Sequence, residues 1–357
     1  MPKKPSSRVT ILDLARKLKL SQGAVSQALN GTESTIRVSE RTRERVKKLA
    51  NKLGYRPNQA ARILRTGRSG MVGILLHQGF SSLIPVHMYY ARQNAERVGL
   101  FPFIYEISSR KEDAAERALE FVLDAKVDAL MVLAWLGDQS LLQSAGIPVA
   151  LIGRQKKQLV PGYSVDQTNG YRMAAEHLIQ QGCRTLSVVS ADSSLSSPPA
   201  RGTELAVQAA QKQGKSVSWR NHVEKVDYEG FVATSAPQMH GIYAFGYLAI
   251  QSMIAQGNLP DGILFQSDNM AVGALRACAE VGIRVPDDLA ISGFGDHPEC
   301  PVTVPSLTSV IQPLEQMQRA AFDDLQAALN GQKIPQDKLA VFPCELIVRE
   351  SSLRTSR

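Results

Sequence analysis

The stretch VTILDLARKLKLSQGAVSQALNG, residues 9–31, encodes two short helices set two residues apart. Thr10 and Asp13 have the spacing of a capping box, in which the Thr10 oxygen accepts a helix N–H and the Asp13 carboxylate accepts the N–H of Thr10. Leu14, Ala15 and Leu18 follow at helical spacing. Ser21 is a second N-cap, opening a helix with Ala24, Val25, Ala28 and Leu29 on its inner face and Asn30-Gly31 at its end. Lys19 and Leu20 are all that separates the two. A third helix begins near Ser39, carries Val46, Leu49, Ala50 and Leu53 on one side and ends at Gly54. Three short helices with one shared apolar seam predict a small all-α helix-turn-helix head. The outer face of its second helix presents Gln22, Gly23, Ser26 and Gln27.

Charge gives that outer face a meaning. Residues 1–68 hold 17 Lys or Arg against 4 Asp or Glu, a net +13, and the remaining 289 residues are net −5. A concentrated positive charge suits a polyanion, because each phosphate neutralised releases a condensed counterion. A charge run is also common in solvated basic arms, but the ordered caps and apolar seam point away from a plain arm. A helix fits the major groove, and glutamine pairs with adenine there through two hydrogen bonds.

The chain of 357 residues is long enough for two or three domains, and its 44% apolar content supports full cores. No apolar run reaches the ~18–20 residues that span a bilayer. MPKKPSSRVT has no apolar run after its charges, so a secretory signal is not expected. Cys183, Cys278, Cys300 and Cys344 lie far apart, matching neither a zinc site nor a disulfide framework. We expect reduced thiols, a cytoplasmic location, no membrane partner and no cofactor or metal.

Beyond the polar, glycine-rich stretch Thr66–Gly70, short apolar runs alternate with amphipathic ones. The strand candidates are 71–76, 101–107, 127–134, 147–153, 184–190, 261–267 and 288–295; Met173–Gln181 and Asn269–Val281 are among the helical runs between them. Such alternation predicts parallel sheets covered by helices on both faces, here as two doubly wound lobes. Ligands of such folds sit beyond the carboxyl ends of the strands.

With these stretches in view, residues 9–64 resemble the DNA-binding head of the lactose-repressor (LacI/GalR) family: VTILDLARKLKLSQGAVSQALNG, then RVSERTRERVKKLANKLGYRPN, then NQAARIL. The rest resembles that family's periplasmic-binding-protein-like effector domain through AAEHLIQQGCRTLSVV, SDNMAVGALRACAEVGIRVPDDLAISGFGD, PSLTSVIQP and ELIVRESS. The resemblance implies an α/β two-lobed effector domain with parallel sheets in Rossmann-like lobes behind the helical head. The head would span residues 1–56, a hinge helix and linker 57–69, and the effector and dimerisation domain 70–357. Lobe 1 would comprise roughly 70–164 and 297–330, lobe 2 roughly 165–296 and 331–357.

The resemblance places Thr10, Ser21, Gln22, Gly23, Ser26, Gln27, Asn30, Tyr55, Asn58, Ala61 and Leu64 at operator DNA. Asn58, Ala61 and Leu64 would belong to a hinge helix that pairs with a second copy and wedges Leu64 into the minor groove, kinking the duplex; a plain linker is the other reading of that segment. Gly23 replaces a glutamine of the lactose repressor and Gln27 an arginine of many members, so a known operator is not carried over. Thr32–Arg37 is an insertion of a few residues.

For the effector, the resemblance places His77, Gln78, Trp135, Arg201, Ser267, Asp268, Phe294 and Asp296 in the cleft. Trp135 would stack on a sugar ring or base, or pack in the core. His77 has a structural reading beside the functional one, and Asp268 could serve only to favour the helix that follows it. Glu204 and Leu205 replace the usual Gly-aromatic pair after Arg201. Gly153 and Gly295 stand where members carry aspartates that grip sugar hydroxyls, which raises an anionic or unusual ligand beside a sugar or sugar derivative. Trp219–Tyr243 matches the family poorly.

The expected function is a homodimeric transcriptional regulator, a repressor by preference, on a pseudo-palindromic operator under small-molecule control. An effector-blind DNA binder with a degenerate cleft is the nearest alternative. A solute-binding protein predicts a signal peptide and no basic head. An enzyme finds no G-x-G-x-x-G after the first strand, no phosphate loop, no H-E-x-x-H and no nucleophile elbow.

Overall fold

The computed structural model describes residues 9–30, 38–55, 67–77, 83–107, 113–133, 135, 137–153, 157–190, 194–222 and 242–354. The sequence-predicted sites Asn58, Ala61, Leu64 and Gln78, the insertion 32–37 and most of 219–243 lie outside these residues, as do the side chains of Asn30 and His77. The chain divides into two units, Met1–Ser69 and Gly70–Arg357.

In the first unit, α1 (Ile11–Leu18) starts on the expected capping box: Thr10 N–H donates to Asp13 at 2.9 Å and Asp13 N–H to Thr10 Oγ1 at 3.3 Å. Lys19 ends it in the left-handed region at φ +53°, turning the chain into α2 (Gln22–Asn30). Ser39 caps α3 (Glu40–Lys52), accepting from Thr42 N–H. Leu14, Ala15, Val25, Ala28, Val46 and Ala50 form the buried core, with Leu18, Leu29, Leu49 and Leu53 packed on it. Gly54 takes φ +63°, and the N–H of Tyr55 then reaches back to Ala50 C=O at 2.9 Å, closing α3.

The second unit contains two six-stranded sheets. The first, order β11-β5-β4-β3-β1-β2, comprises β1 (Met71–His77), β2 (Phe101–Ile107), β3 (Ala129–Leu133), β4 (Val149–Ile152), β5 (Gly162–Val165) and β11 (Leu339–Phe342), all parallel. The second, order β12-β10-β9-β8-β6-β7, comprises β6 (Thr185–Val189), β7 (Ser218–His222), β8 (Gly262–Phe265), β9 (Ala290–Gly295), β10 (Thr308–Ile311) and the antiparallel edge strand β12 (Glu345–Ile347). Central strands such as β3, β4, β8 and β9 are buried throughout, as strands covered on both faces must be.

Helices α4 (Ile84–Arg97), α5 (Ala114–Asp124), α6 (Gln139–Gln143) and α11 (Leu314–Leu329) serve the first lobe. Helices α7 (Gln167–Gln180), α8 (Pro198–Lys212), α9 (Ile242–Ala255) and α10 (Asp268–Glu280) serve the second. The chain crosses between the sheets after β5, after β10 and after β11. This corrects the expected second and third exchanges: β10 still belongs to the second sheet and β11 to the first, so they fall near 312 and 343 rather than 297 and 331. The reason is register. β10 pairs along β9, Thr308 with Ser292, whereas β11 pairs along β5, Leu339 with Gly162.

Candidate nucleic-acid interface and effector cleft

The head holds its reader helix from behind. Val25 and Ala28 are fully buried, and Ser21 Oγ accepts the N–H of Ala24 at 3.1 Å. Ser21, Gln22 and Gly23 stand exposed at the start of α2, while Ser26 and Gln27 are half-exposed on the same helix. Thr10 is exposed, with its hydroxyl on the Asp13 carboxylate at 2.7 Å. Those hydrogen bonds keep the Asp13 carboxyl below the usual range, and therefore charged. Arg16, Lys17 and Lys19 of the first helix and turn are exposed, as are Arg41, Arg45, Lys47, Lys48 and Lys52 of α3. Tyr55 packs against the head core, and burial pushes its hydroxyl pKa up.

The expected effector residues divide into groups. Trp135 takes the core reading: it is 2% exposed among Ala115, Leu142 and their neighbours, and its Nε1–H donates to Asp138 C=O at 3.1 Å. Phe294 is corrected likewise; its ring lies 4.5 Å from that of Tyr171, stacked and buried, because β9 is covered by α7 at this point. Ser267 caps α10, accepting from Met270 N–H. Arg201 is exposed in the first turn of α8 and donates to Glu204 at 2.7 Å. The glutamate that departs from the family pattern is thus the partner of the arginine expected to grip a ligand.

Asp268 is wholly buried at the start of α10. Its Oδ1 accepts from Ser309 Oγ at 2.5 Å and its Oδ2 from His297 N–H at 2.9 Å, with the His297 ring 3.9 Å away. Burial raises its carboxyl pKa in spite of these contacts. Ser309 also accepts the N–H of Asp296, whose carboxylate receives Arg349 Nη1 at 2.7 Å. Asp296 itself sits at φ +51°. Asp268 therefore anchors the loop after β9 to α10 and β10, a larger structural task than favouring its own helix.

Gly295 now has a physical reason. It adopts φ +130°, and a Cβ there would approach the His297 ring to 2.8 Å. The space an aspartate would need is taken by the imidazole. His297, Ser309 and Arg349 were not singled out from sequence; Ser309 and Arg349 lie in stretches that match the family, and His297 directly follows one.

A cavity of about 390 Å³ lies where the lobes exchange chain, between α4, the end of β9 and the crossing segments 311–316 and 343–345. No group of three or more His, Cys, Asp or Glu among the described residues is placed to hold a metal. No described helix is long and apolar enough to cross a membrane.

Comparison with known proteins now adds to this geometry. The sequence profile of "Bacterial regulatory proteins, lacI family" matches residues 10–58, and that of "Periplasmic binding protein-like domain" matches 175–352. The chain belongs to the lacI family of bacterial regulatory proteins. It is 27% identical to Catabolite control protein A of Staphylococcus epidermidis over 335 residues, covering 91% of this chain and 94% of that protein. The Staphylococcus xylosus protein of the same name is 26% identical, with 92% and 94% covered. In fold, the lac repressor dimer bound to operator and an anti-inducer superposes with a TM-score of 0.79 at 22% identity, covering 97% of this chain and 100% of that one. The complex of transcriptional regulator CelR with cellobiose gives 0.65 at 23%, covering 96% and 100%. As a lacI-family member, the protein is a DNA-binding transcriptional regulator with an effector-binding domain, not an enzyme.

Proposed function

We propose that the protein is a homodimeric, cytoplasmic repressor of a pseudo-palindromic operator, controlled by a small molecule bound between its lobes. The capped α2, with polar side chains outward in a segment of net charge +13, carries this reading. Two heads place two such helices in successive major grooves. The fold neighbour solved as a dimer on operator supports the dimer, and the one solved with cellobiose supports a sugar-class effector. The pair Arg201–Glu204 supports a second reading, an effector-blind regulator, since the arginine is already engaged.

Genomic footprinting of the purified protein, followed by salt titration on the recovered site, tests the DNA reading. Protection of a two-fold sequence, with affinity falling steeply as salt rises, is expected. Retention indifferent to both sequence and salt would sink it. Leu64→Ala is expected to weaken specific binding far more than non-specific binding; equal losses would remove the wedge from the proposal.

A further inference from the structure

Arg41, Arg45, Lys48 and Lys52 follow one another at spacings of four, three and four along α3, so they share one side of the helix, and all four are exposed. We propose that this basic stripe holds the phosphate backbone of a second DNA duplex while α2 occupies the operator. The stripe runs roughly 16 Å along the helix axis, a length over which one DNA strand presents about five phosphates. Its neighbours are like charges: Arg41 with Arg45, Arg45 with Lys48 and Lys48 with Lys52 stand where such pairs repel and weaken a helix. Among the described residues, none of the four makes an ion pair or a side-chain hydrogen bond. Of the two acids on α3, Glu40 is paired with Arg43, and Glu44, which borders the stripe, pairs with neither Arg41 nor Lys48.

The body treats its helices in the opposite way. Arg92, Arg172 and Arg276 each meet a glutamate four residues on. A row of cations held together against its own repulsion is satisfied by a polyanion, which gives up condensed counterions in return. The operator duplex does not serve. The reader helix α2 has no charged residue. It and α3 turn their apolar faces to one shared core, Val25 and Ala28 on one side and Val46 and Ala50 on the other, so their outer sides diverge. A duplex read by Gln22 and Gln27 leaves the outer side of α3 open to another. Even spacing along a straight helix suits the regular phosphates of a duplex better than the irregular charge of an acidic peptide. The proposal rests on the operator reading for what α2 holds, and on the stripe alone for what α3 holds.

The test uses the full chain held on beads by the duplex that footprinting recovers, with a fluorescent duplex of unrelated sequence added in solution. The bound protein retains the second duplex, and retention falls about a hundredfold between about 0.05 and 0.2 M salt, as four phosphate contacts require. The quadruple variant Arg41→Gln/Arg45→Gln/Lys48→Gln/Lys52→Gln loses the second duplex. It binds the first within about threefold at 0.15 M salt, where distant charges are screened, and its head melts no lower, since the repelling pairs are gone. The charge-keeping variant Arg41→Lys/Arg45→Lys retains capture and keeps the test open if the quadruple variant fails to fold. No capture by the wild type overturns the proposal, and so does equal capture by the folded quadruple variant. Loss of the first duplex by that folded variant overturns it too, by placing the stripe on the operator. Capture of polyglutamate in place of DNA overturns it in favour of an acidic peptide. If footprinting recovers no operator, that reading fails by itself. Bridging between two unrelated duplexes, lost in the quadruple variant, then still supports the stripe, and bridging that persists overturns it.

Discussion

In the head, the side chains that hold the fold and those that would read DNA are different ones. Val25 and Ala28 are buried without exposure, while Gln22 and Gly23 of the same helix stand in solvent. At the strand ends of the body the two tasks meet in the same residues. Asp268 and His297 are buried at 0% and 1% exposure, and Asp296 is tied to Arg349. The head can therefore change what it reads at little cost to its fold. The body cannot change its polar residues without disturbing the loop after β9, and Gly295 shows this: an aspartate there would collide with His297.

The contrast breaks most readily at Asp268. Asp268→Ala leaves His297 N–H and the Ser309 hydroxyl without their acceptor in a buried site. The loss is expected at about 4 kcal/mol, seen as a lower denaturant midpoint of the body. A loss below about 1 kcal/mol would mean that the strand ends tolerate change as the head surface does. Leu14→Ala tests the head's side of the contrast. Leu14 is fully buried in a core of few residues, so about 3 kcal/mol is expected, enough to melt the head and abolish operator binding. The body's melting transition should not move, because the two units have separate cores. A joint shift would erase the distinction.

A third test concerns pH. Gln318 Nε2 donates to His87 Nδ1 at 2.9 Å, joining α11 to α4, and burial lowers the His87 pKa from 6.5 to about 4. The unfolded chain takes up this proton below pH 6.5, while the folded chain resists until about pH 4. Stability from this group is thus complete above pH 6.5 and is lost as pH falls toward 4, by about 3 kcal/mol in all. His87→Gln should flatten that part of the body's stability profile and leave the head's unchanged.

The same division governs what the sequence discloses. In the head, caps, apolar spacing and turn lengths act within a few residues of one another: Thr10, Asp13 and Ser21 form the caps as read, and the third helix begins at Ser39 as expected. In the body, strongly apolar strands such as β1, β2 and β8 are visible in the same way. β5 (GYSV) and β7 (SWRNH) are not, since polar residues and glycine disguise them and pairing with a neighbour makes them strands. The chain exchanges near 312 and 343 depend on which sheet accepts β10 and β11, which no local pattern encodes. At the site, Trp135 looks the same in sequence whether it stacks on a ligand or fills a core. The Asp268–His297 contact joins residues 29 positions apart. Resemblance could bring such positions to notice, but it could not say that Glu204 holds Arg201.

The smallest effect on the fold is expected at Gln22, where the comparison is also sharpest. Its side chain is exposed and α2 is held by Val25 and Ala28, so Gln22→Ala should change head stability by less than about 0.5 kcal/mol. If Gln22 reads a base, the variant loses preference at one position of each half-site by about 1–3 kcal/mol, while non-specific affinity and its salt slope stay constant. Footprinting against single-base variants of the operator distinguishes the outcomes. A uniform loss across all bases would assign Gln22 to the phosphate backbone. That would move the reading to Gln27, whose half-buried place on the same helix would then bring the head closer to the body, with holding and recognition sharing one side chain.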